Sequence, residues 1–377
     1  MEIRMEKKKI FFNGKEWRRC FLILCLTGCL MVPGGCGRRE AVTDEEAQEM
    51  QEKTYTDGQG RETQTETEAK AEAEIRDSPG GEIEGNSLAG WEKSLPEGRT
   101  EKMSAAAIRG ICVRKEGEPY FAVSYEPREY KNSFDCWAVS VPYQSMVSVD
   151  TEVMYDYFEK LANLELKEVG DIDRAEAGVE EGSREIFAAF YEGQTETGGQ
   201  AEPDKGLIYR FGKEDGEGNY YVEAAGEIRK VEKAAADELF SLNPYDFVLK
   251  VVSVVSVETV SKVEINTGET EFVMEAGEGK FTFNGRQVDD GEFYGLYTEL
   301  MSVFIEKELS EEERGKDRGD AILTLTYHRN REDAPKIVQE YYAYDEDYAL
   351  ARVNGTEFFL VSRDAVGELE RKIEDAF

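Results

Sequence analysis

The sequence contains a single histidine, His328, in 377 residues. A histidine-based metal site or a serine–histidine–aspartate triad needs companions that this chain does not supply. Cysteine is scarce where it would matter. Four of the six, Cys20, Cys25, Cys29 and Cys36, lie at the N-terminus, which leaves Cys112 and Cys136 for the rest. Two cysteines do not make a disulfide framework. They either pair across neighbouring strands or pack as small apolar groups. The GxxxxGK(S/T) phosphate loop and the GxSxG nucleophile elbow are both missing. No catalytic residue, cofactor or metal ligand is therefore assigned, and the chain reads as non-enzymatic.

Positive charge is also in deficit. Against 80 Asp and Glu stand 46 Lys and Arg, a formal charge of −34. Only residues 1–39 run the other way, with nine basic residues against three acidic. A body this acidic repels nucleic-acid phosphate and anionic lipid headgroups, so no nucleic-acid partner is expected. Solubility is the plain use of such a surface, and a calcium-loaded or basic-partner surface is the alternative. A hydrophobic fraction of 40%, with 19 Tyr and 19 Phe, is ample for a buried core. The length leaves room for about two domains.

The N-terminus carries Lys7, Lys8, Lys9, Lys15, Arg18 and Arg19, then an uncharged apolar run, Cys20–Val32. Its thirteen residues fall short of the about twenty that a membrane-spanning helix needs. They suit the hydrophobic region of an export signal behind a cationic start. The run ends in Pro33-Gly34-Gly35-Cys36, which resembles a bacterial lipoprotein signal. In such a signal the cysteine thiol receives diacylglycerol and becomes the new N-terminus. Cys36 is the expected lipidation site, residues 1–36 the signal peptide, and a membrane lipid the anchor. Leu26-Thr27-Gly28-Cys29 is a second match, and an uncleaved single-pass signal anchor is the other reading. Each of these places the body on the extracytoplasmic face of the cell membrane.

Residues 37–103 are rich in Glu, Thr, Gln, Ala and Gly, with few large apolar groups. No core offsets the entropy of ordering them, so this stretch reads as a disordered acidic linker. From residue 104 the pattern changes to short strands and helices. Ile108–Val113, Tyr120–Tyr125 and Cys136–Val141 read as strands. Asp150 caps a helix with Val153, Met154, Tyr157, Leu161 and Leu164 at helical spacing. Further strands and the helix Lys233–Leu242 follow, and Asn243-Pro244 ends it. The same order then recurs: three strands over 260–283, a helix started at Asp289-Asp290-Gly291, four strands over 322–361, and a last helix capped by Ser362. The expected fold is α+β: two tandem repeats of an antiparallel sheet module with packed helices, over 104–243 and 244–377.

Two segments carry a resemblance. These are Gly218-Asn219-Tyr220-Tyr221-Val222-Glu223-Ala224-Ala225-Gly226 and Asn354-Gly355-Thr356-Glu357-Phe358-Phe359-Leu360-Val361-Ser362, set in the paired repeats. In these the chain, over about residues 105–377, resembles the bacterial family known as domain of unknown function 4340. The resemblance implies a membrane-anchored protein associated with gliding-motility-type ABC transporters. An ABC transporter permease or auxiliary subunit is then the implied partner. The long acidic linker and the lipoprotein-like start depart from the family, many of whose members use a transmembrane helix.

The expected role is an accessory lipoprotein that binds or scaffolds an envelope partner. A module for a cell-wall glycan or peptide is the second reading, and a carboxylate-dependent hydrolase the third. Tyr155, Tyr157, Phe158, Tyr294 and Tyr297, on corresponding helices, read as core packing or as the lining of a surface groove. Asp171-Ile172-Asp173 starts like a calcium loop but lacks the later acid and glycine. Asp345-Glu346-Asp347 reads as a hairpin turn, with a cation site as the alternative.

Overall fold

Strand pairing organises the chain into two antiparallel sheets. The computed structural model describes residues 87–125, 137–143, 147–179, 184–192, 202–277, 280–331 and 335–377. The expected export signal with Cys29 and Cys36, Cys136 and most of the expected linker lie outside the described residues.

The first sheet contains β1 (Ile108–Lys115), β2 (Glu118–Tyr125), β3 (Trp137–Val141), β4 (Lys167–Glu168), β5 (Arg184–Phe190), β6 (Lys205–Glu214), β7 (Asn219–Ala224) and β8 (Glu227–Glu232). Their spatial order is β3-β2-β1-β5-β6-β7-β8-β4. The second sheet contains β9 (Val260–Asn266), β10 (Glu271–Gly277), β11 (Lys280–Phe283), β12 (Arg286–Val288), β13 (Ile305–Glu308), β14 (Leu323–Arg329), β15 (Lys336–Ala343), β16 (Tyr348–Val353) and β17 (Thr356–Ser362). Its order is β12-β11-β10-β9-β14-β15-β16-β17-β13. Each sheet joins a first meander to a four-strand meander and places a short strand, β4 or β13, at the far edge. The second sheet adds β12 at the opposite edge.

Among the described residues six α-helices accompany the strands: α1 (Ser87–Ser94), α2 (Thr151–Ala162), α3 (Arg174–Ala177), α4 (Lys233–Phe240), α5 (Asp290–Leu300) and α6 (Arg363–Ala376). The caps explain where they start. Asp150 accepts from the Glu152 and Val153 amides, and Ser362 from Ala365. Asp289 and Glu292 form a reciprocal capping box on α5. Asp173 caps α3 rather than opening a calcium loop. The β7–β8 and β16–β17 turns place Ala225-Gly226 and Asn354-Gly355 at positive φ, the two-residue turn whose twist matches a hairpin.

Helical periodicity sets the inner face. Met154, Phe158 and Leu161 of α2 and Leu239 of α4 pack on Ile111, Val123, Ile186 and Phe211 of the first sheet. Phe293, Tyr297 and Leu300 of α5, with Val366, Leu369 and Ile373 of α6, pack on Val263, Met274, Leu325 and Tyr341 of the second.

Order begins earlier than the composition suggests. Composition alone extends the linker to residue 103, but α1 starts at Ser87 and Leu88 is buried. The outer face of the first sheet carries small groups, Gly110, Cys112, Ala122 and Ala189. A Cβ on Gly110 would stand 3.0 Å from Leu88 and 3.1 Å from Trp91, so that glycine lets α1 lie close. A short helix with one apolar edge is ordered because the sheet supplies the surface it lacks alone. Cys112 is a free, buried thiol under this helix, and burial pushes it up to about 11.

The turn between β6 and β7 has an electrostatic device. Asp215 accepts from the amides of Glu217 at 2.7 Å and Asn219 at 3.1 Å, and pairs with Lys230 at 2.7 Å. The Lys230 ammonium, then these amide donors, hold its carboxyl well below the usual carboxylate range. A depressed folded pKa adds stability above the unfolded value, about 4, and that stability is lost as pH falls toward the folded value. Asp215→Asn should therefore lower the melting temperature at neutral pH. The gap to the parent chain should narrow as pH drops below about 4. A gap that stays constant across this range in thermal melts would refute the assignment.

Candidate functional site

The large apolar side chains left exposed among the described residues are two tyrosines. Tyr155 is 38% exposed on α2 and Tyr294 is 42% exposed on α5. Both stand five residues into their helices, counting from Thr151 and Asp290. Each rests edge-on against an aromatic ring of a strand in the neighbouring sheet. Tyr155 meets Trp137 of β3 at 6.2 Å between centroids, and Tyr294 meets Phe281 of β11 at 5.4 Å. A second edge contact comes from the helix itself, Phe158 at 5.8 Å and Phe293 at 5.9 Å. The rings behind fix the tyrosines at the surface, so little side-chain freedom remains to be lost on contact with a partner. The other helix aromatics named from the sequence, Tyr157, Phe158 and Tyr297, are buried. Helical spacing marked the whole set, but only the sheet beneath separates lining from core.

Carboxylates are abundant, and the two buried on the first sheet, Glu185 and Glu223, are tied to arginines. Cross-strand register places Arg114 opposite Glu185, Glu185 opposite Arg210, and Arg210 opposite Glu223. Glu92 of α1 closes one end on Arg114 with contacts of 2.8 and 2.6 Å. Arg174 of α3 closes the other on Glu223 at 3.3 Å. Arg210 joins Glu185 at 2.9 Å and Glu223 at 3.3 Å. These two acids are thus bridged by a guanidinium rather than held apart around a cleft, which is the arrangement a glycosidase pair requires. The matching row of the second sheet carries Glu340 opposite Arg352, and Arg352 opposite Glu357. Nothing in the sequence spacing revealed these rows, because register brings together residues from separate strands.

His328 lies on β14, opposite Lys262 of β9. Its Nε2 is 2.7 Å from Glu264, and Lys262 is 2.7 Å from the other carboxylate oxygen. Lys262 first, and His328 second, hold Glu264 below its usual range. This is a surface ion cluster on a strand face. Among the described residues no group of three or more His, Cys, Asp or Glu is gathered as a metal ion would need. Asp345 is a turn residue, accepting from the amides of Asp347 and Tyr348.

A cleft between the sheets is lined by Val147, Val251, Ile305, Val353 and Phe359. Its space of about 30 Å³ suffices for roughly two waters and not for a sugar or a peptide. Beside it Tyr143 is fully buried, with Phe358 at 5.4 Å and Phe359 at 5.2 Å, and its hydroxyl donates to Glu308 at 2.5 Å. Sequence reasoning passed over Tyr143, since it follows a strand in an unpatterned stretch.

Among the described residues no helix is long and apolar enough to cross a membrane. No family model matches the chain, and neither a curated protein nor a solved structure matches it.

Proposed function

We propose that the chain is an exported, membrane-tethered accessory protein, non-enzymatic, whose body binds or scaffolds an envelope partner. The observation that carries this is the pair of surface tyrosines, Tyr155 and Tyr294, held at matching helix positions over strand aromatics. Anchored aromatics are the groups that dominate protein contacts. The cationic start, the apolar run and Cys36 support export and lipidation, and the acidic stretch after Cys36 supports a tether. Membership of the domain of unknown function 4340 family remains part of the proposal and rests on the two sequence segments. From it follows the preferred partner, an ABC transporter permease or auxiliary subunit.

The tandem repeat belongs to the same reading. Its support is the shared strand order, the shared turn geometry at Gly226 and Gly355, and the shared burial along α2 and α5. Aligning the cross-strand registers pairs Val113, Ile186 and Tyr209 with Ile265, Leu325 and Gln339.

Crosslinking in membranes followed by capture of the full chain should recover a transporter permease. Recovery should fall at least several-fold in the Tyr155→Ala/Tyr294→Ala double variant. Repeated captures without a permease would sink the transporter reading. A thermal shift with wall fragments that both tyrosine variants abolish would favour the glycan or peptide reading instead. Labelling with radioactive palmitate should mark the parent chain and not Cys36→Ala. Label lost only in Cys29→Ala would move the anchor, and label on no form would refute lipidation.

A further inference from the structure

We infer that the second module holds a bound water in its core, between Tyr327 and Gln339, at a place where the first module has Ala188 and Tyr209. This rests on the repeat reading, in which the strand orders and cross-strand registers of the two sheets are aligned and core positions compared one by one. Ala188, Phe190 and Phe211 of the first sheet correspond to Tyr327, Arg329 and Tyr341 of the second. Tyr209 corresponds to Gln339, and Phe158 of α2 to Tyr297 of α5. At these five places the first core has one polar side chain and the second has five.

Buried polar atoms must find partners, because desolvation without a hydrogen bond is unfavourable. Two of the second module's groups do. Tyr297 donates to the Val255 carbonyl at 2.8 Å, and the Gln339 amide nitrogen meets the Tyr341 hydroxyl. Two do not. The Tyr327 hydroxyl and Gln339 Oε1 have no hydrogen-bond partner among the described residues, in side chains only 0% and 1% exposed. Turning the Gln339 amide over does not help, since it would orphan the NH2 group in place of the oxygen.

The two orphans are chemically complementary. A phenol is a donor, and an amide oxygen is an acceptor only. They sit on the same face of adjacent strands. Leu325 lies directly opposite Gln339, which makes Tyr327 the diagonal neighbour. Diagonal positions on a sheet are about 7–8 Å apart along the backbone, within reach of long side chains, yet the two groups make no direct bond, which leaves both open to one bridging molecule. A water accepting from Tyr327 and donating to Gln339 satisfies both, with the Tyr341 hydroxyl beside the same amide as a third polar neighbour. The guest is a single small molecule with both donor and acceptor capacity, so water is the class the chemistry selects.

Water oxygen-17 relaxation dispersion on the full chain counts long-lived internal waters. The Tyr327→Phe/Gln339→Met double variant should have one fewer than the parent. Tyr209→Phe, at the matching place in the first module, should leave the count unchanged. Tyr327→Phe alone removes one oxygen without changing the ring, and should weaken or abolish the same signal if the double variant does not fold. An equal count in the parent, the double and the Tyr327→Phe chains would overturn the inference. So would a loss that Tyr209→Phe reproduces.

Discussion

Tyr143→Ala should separate the unfolding of the two modules. The Tyr143 ring is enclosed by Phe358 and Phe359 of the second sheet, yet it belongs to the segment that leaves the first. The first core also takes in Ile305, Phe358 and Phe359, so one apolar surface is shared by both sheets. Removing a buried aromatic leaves a cavity, at a cost of about 3–5 kcal/mol. Here that loss falls on the coupling between the sheets. Urea unfolding followed by tryptophan fluorescence reports mainly on the first module, because Trp91 and Trp137 lie there. Far-ultraviolet circular dichroism reports on both. The two transitions should coincide in the parent chain and part in the variant. Tyr143→Phe is the control. It keeps the ring and loses the hydrogen bond to the Glu308 carboxylate, for about 1.5–3 kcal/mol. Burial, and then the bond to Glu308, push the Tyr143 phenol far above its usual range, so it stays a donor across the working pH. If Tyr143→Ala unfolds with coincident probes and near-parent stability, the ring does not couple the sheets.

Arg210→Met should be as damaging for a different reason. Arg210 is flanked by Glu185 and Glu223, whose side chains are 9% and 10% exposed. Withdrawing the guanidinium leaves two buried carboxylates with fewer cations. Breaking a buried pair in this way costs about 3–5 kcal/mol, much of it the unpaired charge left behind. The lower end is expected, since Arg114 stays 4.0 Å from Glu185 and Arg174 stays 3.3 Å from Glu223. The triple variant Glu185→Leu/Arg210→Met/Glu223→Leu should recover most of the loss, because desolvation and attraction nearly cancel in the intact row. Chemical denaturation of the parent, the single and the triple variant tests this. A triple variant no more stable than Arg210→Met would show that the row is not a self-compensating unit.

These two sites share a lesson about legibility. Apolar periodicity located α2, α4, α5 and α6 within a few residues, and Gly226 and Gly355 marked their hairpins, because these are local signals. Short polar elements escaped. The strands β4, β12 and β13 have four residues or fewer and exist because a neighbour offers an edge. The helix α1 has the composition of the linker, since the surface that orders it comes from Cys112, Ala122, Phe187 and Ala189, all distant in the chain. Tyr155 and Tyr157 look alike in a helix taken alone. The sheet beneath buries one and leaves the other at the surface.

By itself the sequence determined the α+β class, the caps of the main helices, the hairpin turns and the scarcity of histidine and cysteine. All of these depend on residue identity or on spacings within a few residues. Only the tertiary structure decided which carboxylates are paired, which tyrosine is exposed, what Tyr143 touches and which buried hydroxyl is left without a partner. Register and packing bring residues far apart in the chain to within a few ångströms, and burial then sets the strength of each charge and hydrogen bond.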